Sequence, residues 1–144
     1  MNLNDDFLEL ASKNEDIQLL ENRTILITGA TGMLARYLTR YLIYLNEEKH
    51  LNMRFILAVR NIEKAKKIYH DQLNNRIHLL ATDLSSPLNV EESIHIIIHA
   101  ASLADPQFYK TNPVDVALPN VLGTYHCLEL AKKKHAEHFL YFSS

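Results

Sequence analysis

The sequence predicts an α/β fold built on a doubly wound parallel sheet, and three observations carry that expectation. Short β-branched apolar runs alternate with longer stretches at helical spacing. The runs are apolar throughout, as strands covered on both faces are. The first run ends directly in a glycine-containing turn that opens a helix. The order β-α-β-α-β-β-α-β needs crossover connections, and these generate a sheet of strand order 3-2-1-4-5. Such a sheet leaves a crevice beyond the carboxyl ends of strands 1 and 4.

The elements follow in order. Residues 4–13 carry Phe7, Leu8, Leu10 and Ala11 among acids, which predicts a short amphipathic helix capped near Asn4 or Asp5. Ile17, Leu19 and Leu20 form a second apolar patch. Residues 1–22 are expected to be an N-terminal helical extension packed on a main domain that runs 23–144. Strands are predicted at 24–28, 55–59, 77–81, 94–99 and 139–142. A helix at 33–45 repeats Leu34, Leu38, Leu42 and Leu45 at helical spacing. Tyr37, Tyr41 and Tyr44 share it; the stripe suits core or subunit packing, and a ligand face is the other possibility. Residues 62–73 form a basic amphipathic helix, and 114–134 a helical region interrupted by Pro119. Proline removes a donor and crowds the preceding turn, so a kink or a helix restart is expected there.

Composition narrows the class. The chain has 144 residues, enough for one cored domain. Hydrophobic residues make up 47%, charged residues 22%, and the net charge is −2, which fits a soluble globular protein. Basic residues are scattered, and the one basic run, Lys132 to Lys134, suits a helix C-terminus, so no nucleic-acid partner is expected. No apolar stretch reaches membrane-spanning length and no signal peptide is visible, so no membrane association and a cytoplasmic location are expected. Cys127 is the single cysteine and reads as a core residue in a reducing compartment.

The chemistry concentrates after the strands. Two of the three glycines, Gly29 and Gly32, fall in the first strand-to-helix turn and are followed by Ala35. Gly29 permits a tight turn, Gly32 lets the backbone approach a pyrophosphate, and Ala35 lets the helix sit close on the sheet. The N–H groups at the helix start then receive phosphates. Arg60 follows strand 2, where an acid would take the ribose hydroxyls of NAD; arginine instead suits a 2′-phosphate, or is a solvated surface residue. Asp83 follows strand 3 and could accept from an adenine amine, although taken alone a loop-capping aspartate is the better explanation. His95 and His99 share one strand face, where buried, hydrogen-bonded histidines are expected rather than a metal pair. His135 and His138 read as solvated. No metal is expected.

Five segments then take on a joint meaning. Thr28-Gly29-Ala30-Thr31-Gly32-Met33-Leu34-Ala35, Asp83-Leu84, His99-Ala100-Ala101-Ser102, Asn120-Val121-Leu122-Gly123-Thr124 and Phe142-Ser143-Ser144 occur in order across 23–144. In that order and spacing they resemble the extended short-chain dehydrogenase/reductase family. Its NAD(P)-dependent members are epimerases, dehydratases, decarboxylases and reductases of nucleotide sugars. Ala101-Ser102, Pro106, Tyr109 and Asn112-Pro113 are most similar to UDP-glucuronate decarboxylases, as is Pro87 in 83–88. The sequence departs from the family at Arg60, where an acid is usual, at Ala35, where the third glycine stands, and at Pro119.

The resemblance implies a Rossmann domain that binds NAD or NADP. Gly29, Thr31, Gly32, Met33, Leu34, Arg60, Asp83, Leu84, Ala100, Ala101, Ser102 and Asn120 fall at the cofactor. Ser144, or the next position, matches the family's serine or threonine that hydrogen-bonds the reacting hydroxyl. The family's base is a tyrosine assisted by a lysine four positions on, and no tyrosine here has one. The chain is therefore expected to be the cofactor-binding N-terminal part of a longer enzyme, truncated after the fifth strand and inactive alone. Its expected partners are a nucleotide-sugar substrate in the full-length enzyme and a second copy in a homodimer. Arg60 leans the cofactor choice towards NADP. A non-catalytic NAD(P)-binding sensor or scaffold, and an NADPH-dependent reductase of the same family, are the alternatives.

Overall fold

The computed structural model describes residues 3–13, 16–102 and 110–143. The chain begins with helix α1 (Leu3–Lys13) and a 3-10 turn (Ile17–Leu20). It continues through β1 (Thr24–Thr28), α2 (Met33–Glu48), β2 (Arg54–Val59), α3 (Ile62–Tyr69), β3 (Ile77–Ala81) and β4 (Ile96–His99). It closes with α4 (Pro113–Lys134) and β5 (His138–Tyr141). The five strands form one parallel sheet of order β3-β2-β1-β4-β5, as the element order predicts.

Burial follows position in the sheet. All five residues of β1 are buried, and β2 is buried except at Arg54, because both strands have a neighbour on each side and helices on both faces. The outer strands β3 and β5 are mostly half-buried or exposed. Alternate side chains enter two separate cores. Ile25, Ile27, Phe55, Leu57 and Ile98 join the side covered by α2 and α3. Leu26, Ile56, Ala58 and Ile97 join Cys127 and Leu130 of α4 on the other. This two-faced burial is why the strands read as unbroken apolar runs.

Helix α1 lies against α2. Phe7 packs its ring against Tyr37, Tyr41 and Tyr44 at centroid distances of 5.3, 5.5 and 5.5 Å. The tyrosine stripe is therefore filled by α1, and Phe7 and Tyr41 belong to the first core.

Several boundaries differ from expectation. Helix α2 runs on to Glu48, because Asn46, Glu47 and Glu48 extend the helix after its apolar repeat has ended. Helix α3 stops at Tyr69, and the Gln72 and Leu73 N–H groups turn back to the Tyr69 carbonyl. Strand β4 starts at Ile96, where its pairing with Ile25 of β1 and His138 of β5 begins. Strand β5 sits one residue earlier than predicted. Of the kink or helix restart expected at Pro119, the restart is corrected. Helix α4 is a single element from Pro113 to Lys134. A proline inside a helix costs about 3 kcal/mol; burial of Val116, Cys127 and Leu130 on the same helix opposes that cost.

The gradient across the sheet is testable by urea unfolding. Leu57 is fully buried in β2, so Leu57→Ala should lower the unfolding free energy by about 2–5 kcal/mol. Leu140 is 48% exposed on β5, so Leu140→Ala should change it by no more than about 0.5 kcal/mol. Equal losses would contradict the placement of the two strands.

Candidate functional site

A cleft of about 410 Å³ lies beyond the carboxyl ends of the strands, within the size range of small-molecule sites. It collects the end of each central element. Gly29, Thr31 and Gly32 come from the turn after β1, and Arg60 from the end of β2. Asp83 and Leu84 follow β3, Ala100, Ala101 and Ser102 follow β4, and Asn120 lies on α4. Ten of the expected cofactor residues therefore line one cavity: Gly29, Thr31, Gly32, Arg60, Asp83, Leu84, Ala100, Ala101, Ser102 and Asn120. Met33 and Leu34 are not among its lining residues, and their side chains are 76% and 64% exposed. Only their backbone amides, at the start of α2, face the question of binding. Ser144 and residues 103–109 lie outside the described residues.

The turn after β1 shows what each glycine does. Gly29 has φ +66°, a left-handed conformation that a Cβ penalises. A Cβ there would also sit 2.7 Å from the Ala101 Cα. Glycine is thus required by the close approach of the β4 end as well as by the turn. At Gly32 a Cβ would meet only the Gly29 carbonyl, at 3.1 Å, and otherwise open space. Gly32 caps α2 with no side-chain bond, and the first helical bond is Arg36 N–H to the Gly32 carbonyl. The amides of Met33, Leu34 and Ala35 precede that bond and are the donors a helix start offers to an anion. Ala35 is buried on the sheet, as its small size allows.

Beside the turn, Thr28 and His99 form a directed chain of hydrogen bonds. The Thr28 hydroxyl accepts from the Ala100 and Ala101 N–H groups, each at 3.2 Å. Its proton then goes to His99 Nδ1 at 2.7 Å. His99 therefore carries its own proton on Nε2 and donates to the Thr124 hydroxyl at 3.1 Å. Thr124 donates to the Asn120 carbonyl at 2.7 Å. This assignment uses every proton and needs a neutral imidazole; burial lowers the His99 pKa in the same direction. His95 likewise accepts from Thr24 N–H. Both histidines are hydrogen-bonded, as expected, but only His99 is buried; His95 is half-buried. Cys127 Sγ lies 3.6 Å from His99 Nδ1, and burial pushes the thiol up to about 12, so it stays protonated in the core. Among the described residues, no group of three or more His, Cys, Asp or Glu could hold a metal ion.

On the opposite wall, Arg60 and Lys64 contribute positive charge. Asn61 caps α3 by accepting from Lys64 N–H at 2.8 Å, which fixes where Lys64 enters the cleft. Asp83 is engaged locally: its Oδ1 accepts from the Ser85 hydroxyl at 2.7 Å and the Ser85 N–H at 2.9 Å. These two bonds, with a smaller contribution from Arg60, lower its pKa. Asp83 is thus a loop-capping aspartate that also lines the cleft. Leu84 adopts φ 64°, with its N–H bonded to the Thr82 hydroxyl and its carbonyl to His126 Nδ1. Its side chain packs where Gly123 leaves room on α4.

Ala58, Val59, Thr82 and Ser85 also line the cleft and were not anticipated. A signal existed for three of them: Ala58 and Val59 end β2, and Thr82 directly follows β3, which is where ligands meet such sheets.

Comparison with known proteins places these features in a family. The sequence profile of the NAD dependent epimerase/dehydratase family matches residues 25–144. UDP-glucuronic acid decarboxylase 6 of Arabidopsis thaliana is 35% identical over 113 residues, covering 78% of this chain and 31% of that protein. The chain thus spans about a third of that relative's length. A UDP-Glc/GlcNAc 4-epimerase from Campylobacter jejuni superposes with TM-score 0.65 at 18% identity, covering 83% of this chain and 36% of that one. A yeast methylglyoxal/isovaleraldehyde reductase solved with NADPH gives TM-score 0.59 at 22% identity, covering 84% and 38%. No helix among the described residues is long and apolar enough to cross a membrane.

The neutral His99 has a pH signature. Its pKa in the folded state lies below the ordinary histidine value, so the unfolded chain binds protons first as pH falls. The stability that a neutral His99 gives is therefore complete above about pH 6.5 and is lost on acidification through that value. In His99→Leu the slope of stability between about pH 7 and 5 should flatten relative to wild type, measured by thermal melts. An unchanged slope would contradict a buried neutral imidazole.

Proposed function

The chain belongs to the NAD-dependent epimerase/dehydratase family, and from that premise we propose that its cleft holds the adenosine and pyrophosphate of an NAD(P) cofactor serving a reaction on a nucleotide sugar. The observation that carries this proposal is the start of α2. Uncapped amides, a turn without side chains at Gly29 and Gly32, and open space over Gly32 meet at the switch between β1 and β4. Residues present there suit a dinucleotide: Gly29, Thr31, Gly32 and the amides of Met33 and Leu34 for the pyrophosphate, with Ala100, Ala101, Ser102 and Asn120 where it crosses the sheet. Leu84 and Asp83 flank the adenine end. The cofactor, when bound, takes up and returns a hydride.

Arg60 and Lys64 favour NADP over NAD within this proposal. No carboxylate ends β2 itself, and the Arg60 guanidinium, which also faces Asp83 across the cleft, can make a forked, charge-assisted contact with a 2′-phosphate. An NADPH-dependent reductase of the family is therefore the second reading.

The sequence contains no tyrosine with lysine four positions on. We therefore assign these 144 residues to cofactor binding, with no sugar turnover by this chain alone; Ser144 matches in sequence the family's serine or threonine that hydrogen-bonds the reacting hydroxyl. The same absence is what a non-catalytic sensor or scaffold would show. A cytoplasmic location and a homodimer belong to the proposal. Val114, Val121, Tyr125 and Leu128 form an exposed apolar stripe along α4 that a second copy would cover, and a monomeric mass in solution would remove that element.

Fluorescence titration with NADPH and NADH tests the assignment. Hydrogen bonds to charged groups contribute about 1.5–3 kcal/mol, so NADPH should bind about tenfold or more tightly than NADH, and Arg60→Asp should reverse the order. Gly32→Val should lose both cofactors while its circular dichroism stays native. NADH binding as tight as NADPH in the wild type removes the NADP preference. Unchanged affinity in Gly32→Val removes the phosphate assignment, and conversion of UDP-glucuronate by this chain removes its inactivity.

A further inference from the structure

Tyr69, the last residue of α3, is fully buried and lines no part of the cleft. Its hydroxyl nevertheless donates to the Ala30 carbonyl at 2.5 Å, 39 positions earlier in the chain. Ala30 is also fully buried and is the second residue of the turn between β1 and α2. Burial raises the phenol's pKa, so the group keeps its proton and remains a donor. Thr39 and, more weakly, the guanidinium groups of Arg40 and Arg36, all on α2, act against that rise without cancelling it. Arg40 also donates to the Ile68 carbonyl at 2.7 Å, tying α2 to the same turn of α3.

The Ala30–Thr31 peptide is trans and planar, so its C=O and its N–H point in opposite directions. The C=O is drawn inward to Tyr69. The Thr31 N–H is thereby turned outward, and Thr31 lines the cleft. That N–H has no acceptor among the described residues. We propose that Tyr69 is a positioning residue for the anion end of the cleft, its hydroxyl fixing the Ala30–Thr31 peptide so that the Thr31 N–H joins the α2 amides as a donor to pyrophosphate. The proposal rests on the dinucleotide assignment of the cleft. Tyr69 acts through one peptide plane and never touches the ligand. Without its hydroxyl, the Ala30 carbonyl would be buried with no partner, which is the condition that drives a peptide to rotate. A rotated peptide would aim a carbonyl oxygen at the phosphates instead of a donor.

Tyr69→Phe keeps the ring and removes only the hydroxyl. It should weaken binding of NADPH and ADP-ribose, both of which contain pyrophosphate, by about tenfold, the scale of one lost bond to a charged group. Binding of 2′-AMP, which lacks pyrophosphate, should not change. In the ligand-free protein, amide NMR should show the Thr31 and Gly32 resonances shifted, with faster hydrogen exchange at Gly32, whose N–H bonds the Gly29 carbonyl in the wild type. Ile43→Val serves as the control: it removes one buried methylene from α2 far from the turn, lowering stability without altering any of these readouts. Equal weakening of NADPH and 2′-AMP, or unaltered Thr31 and Gly32 amides, would overturn the role of Tyr69. Failure of the wild type to bind either pyrophosphate-containing ligand would overturn the cleft assignment instead, and the amide readout would still decide whether Tyr69 holds the peptide.

Discussion

The Thr28 hydroxyl is the contact on which the cleft depends. It accepts two backbone N–H groups from the end of β4 and donates to the imidazole at that strand's last residue. Those bonds draw Ala100 and Ala101 against the turn that follows β1, closely enough that only glycine fits at position 29. The floor of the cleft is therefore one hydrogen-bonded unit built from two adjacent strands. His99 extends the unit through Thr124 to the Asn120 carbonyl, so α4 is tied to the same centre. A neutral histidine suits this place because one ring nitrogen must accept and the other must donate.

Around that floor, each wall has its own anchor. Asn61 sets the first turn of α3, and with it the approach of Lys64. Ser85 ties down Asp83, and Leu84 holds a left-handed backbone between a hydroxyl and an imidazole while its side chain packs on α4. Backbone conformations of this kind persist only where neighbours over-determine them, and they gather at sites. The cleft is thus assembled from fixed loops at the strand ends, while its basic groups, Arg60 and Lys64, stand exposed at the rim.

Much of this was legible in the sequence, because the informative residues act locally. A glycine with a positive φ, a small residue at the third position of the motif, and apolar runs without alternation each have one physical explanation. They sufficed for the strand order and for Gly29 and Gly32, whereas Thr31, Leu84 and Asn120 were indicated only by the family resemblance; all of these line the cleft. What stayed hidden depends on pairing across the chain. No spacing rule links Tyr69 to Ala30, or Thr28 to His99, since those bonds exist only once the sheet has formed. Asp83 was ambiguous for a different reason: one carboxylate can cap its loop and line a cavity at once. At Pro119 local propensity argues for a restart, yet packing of the later turns maintains one helix across it.

The central claim is that the turn between β1 and α2 is an anion site for a dinucleotide's pyrophosphate. It is tested most directly by following backbone amides by NMR while ADP is added to the chain. The account predicts that Thr31, Gly32, Met33 and Leu34 show the largest shifts, with smaller ones at Ala100 and Ala101. Saturating shifts centred elsewhere, such as on the lysines that end α4, or none at the turn, would contradict it.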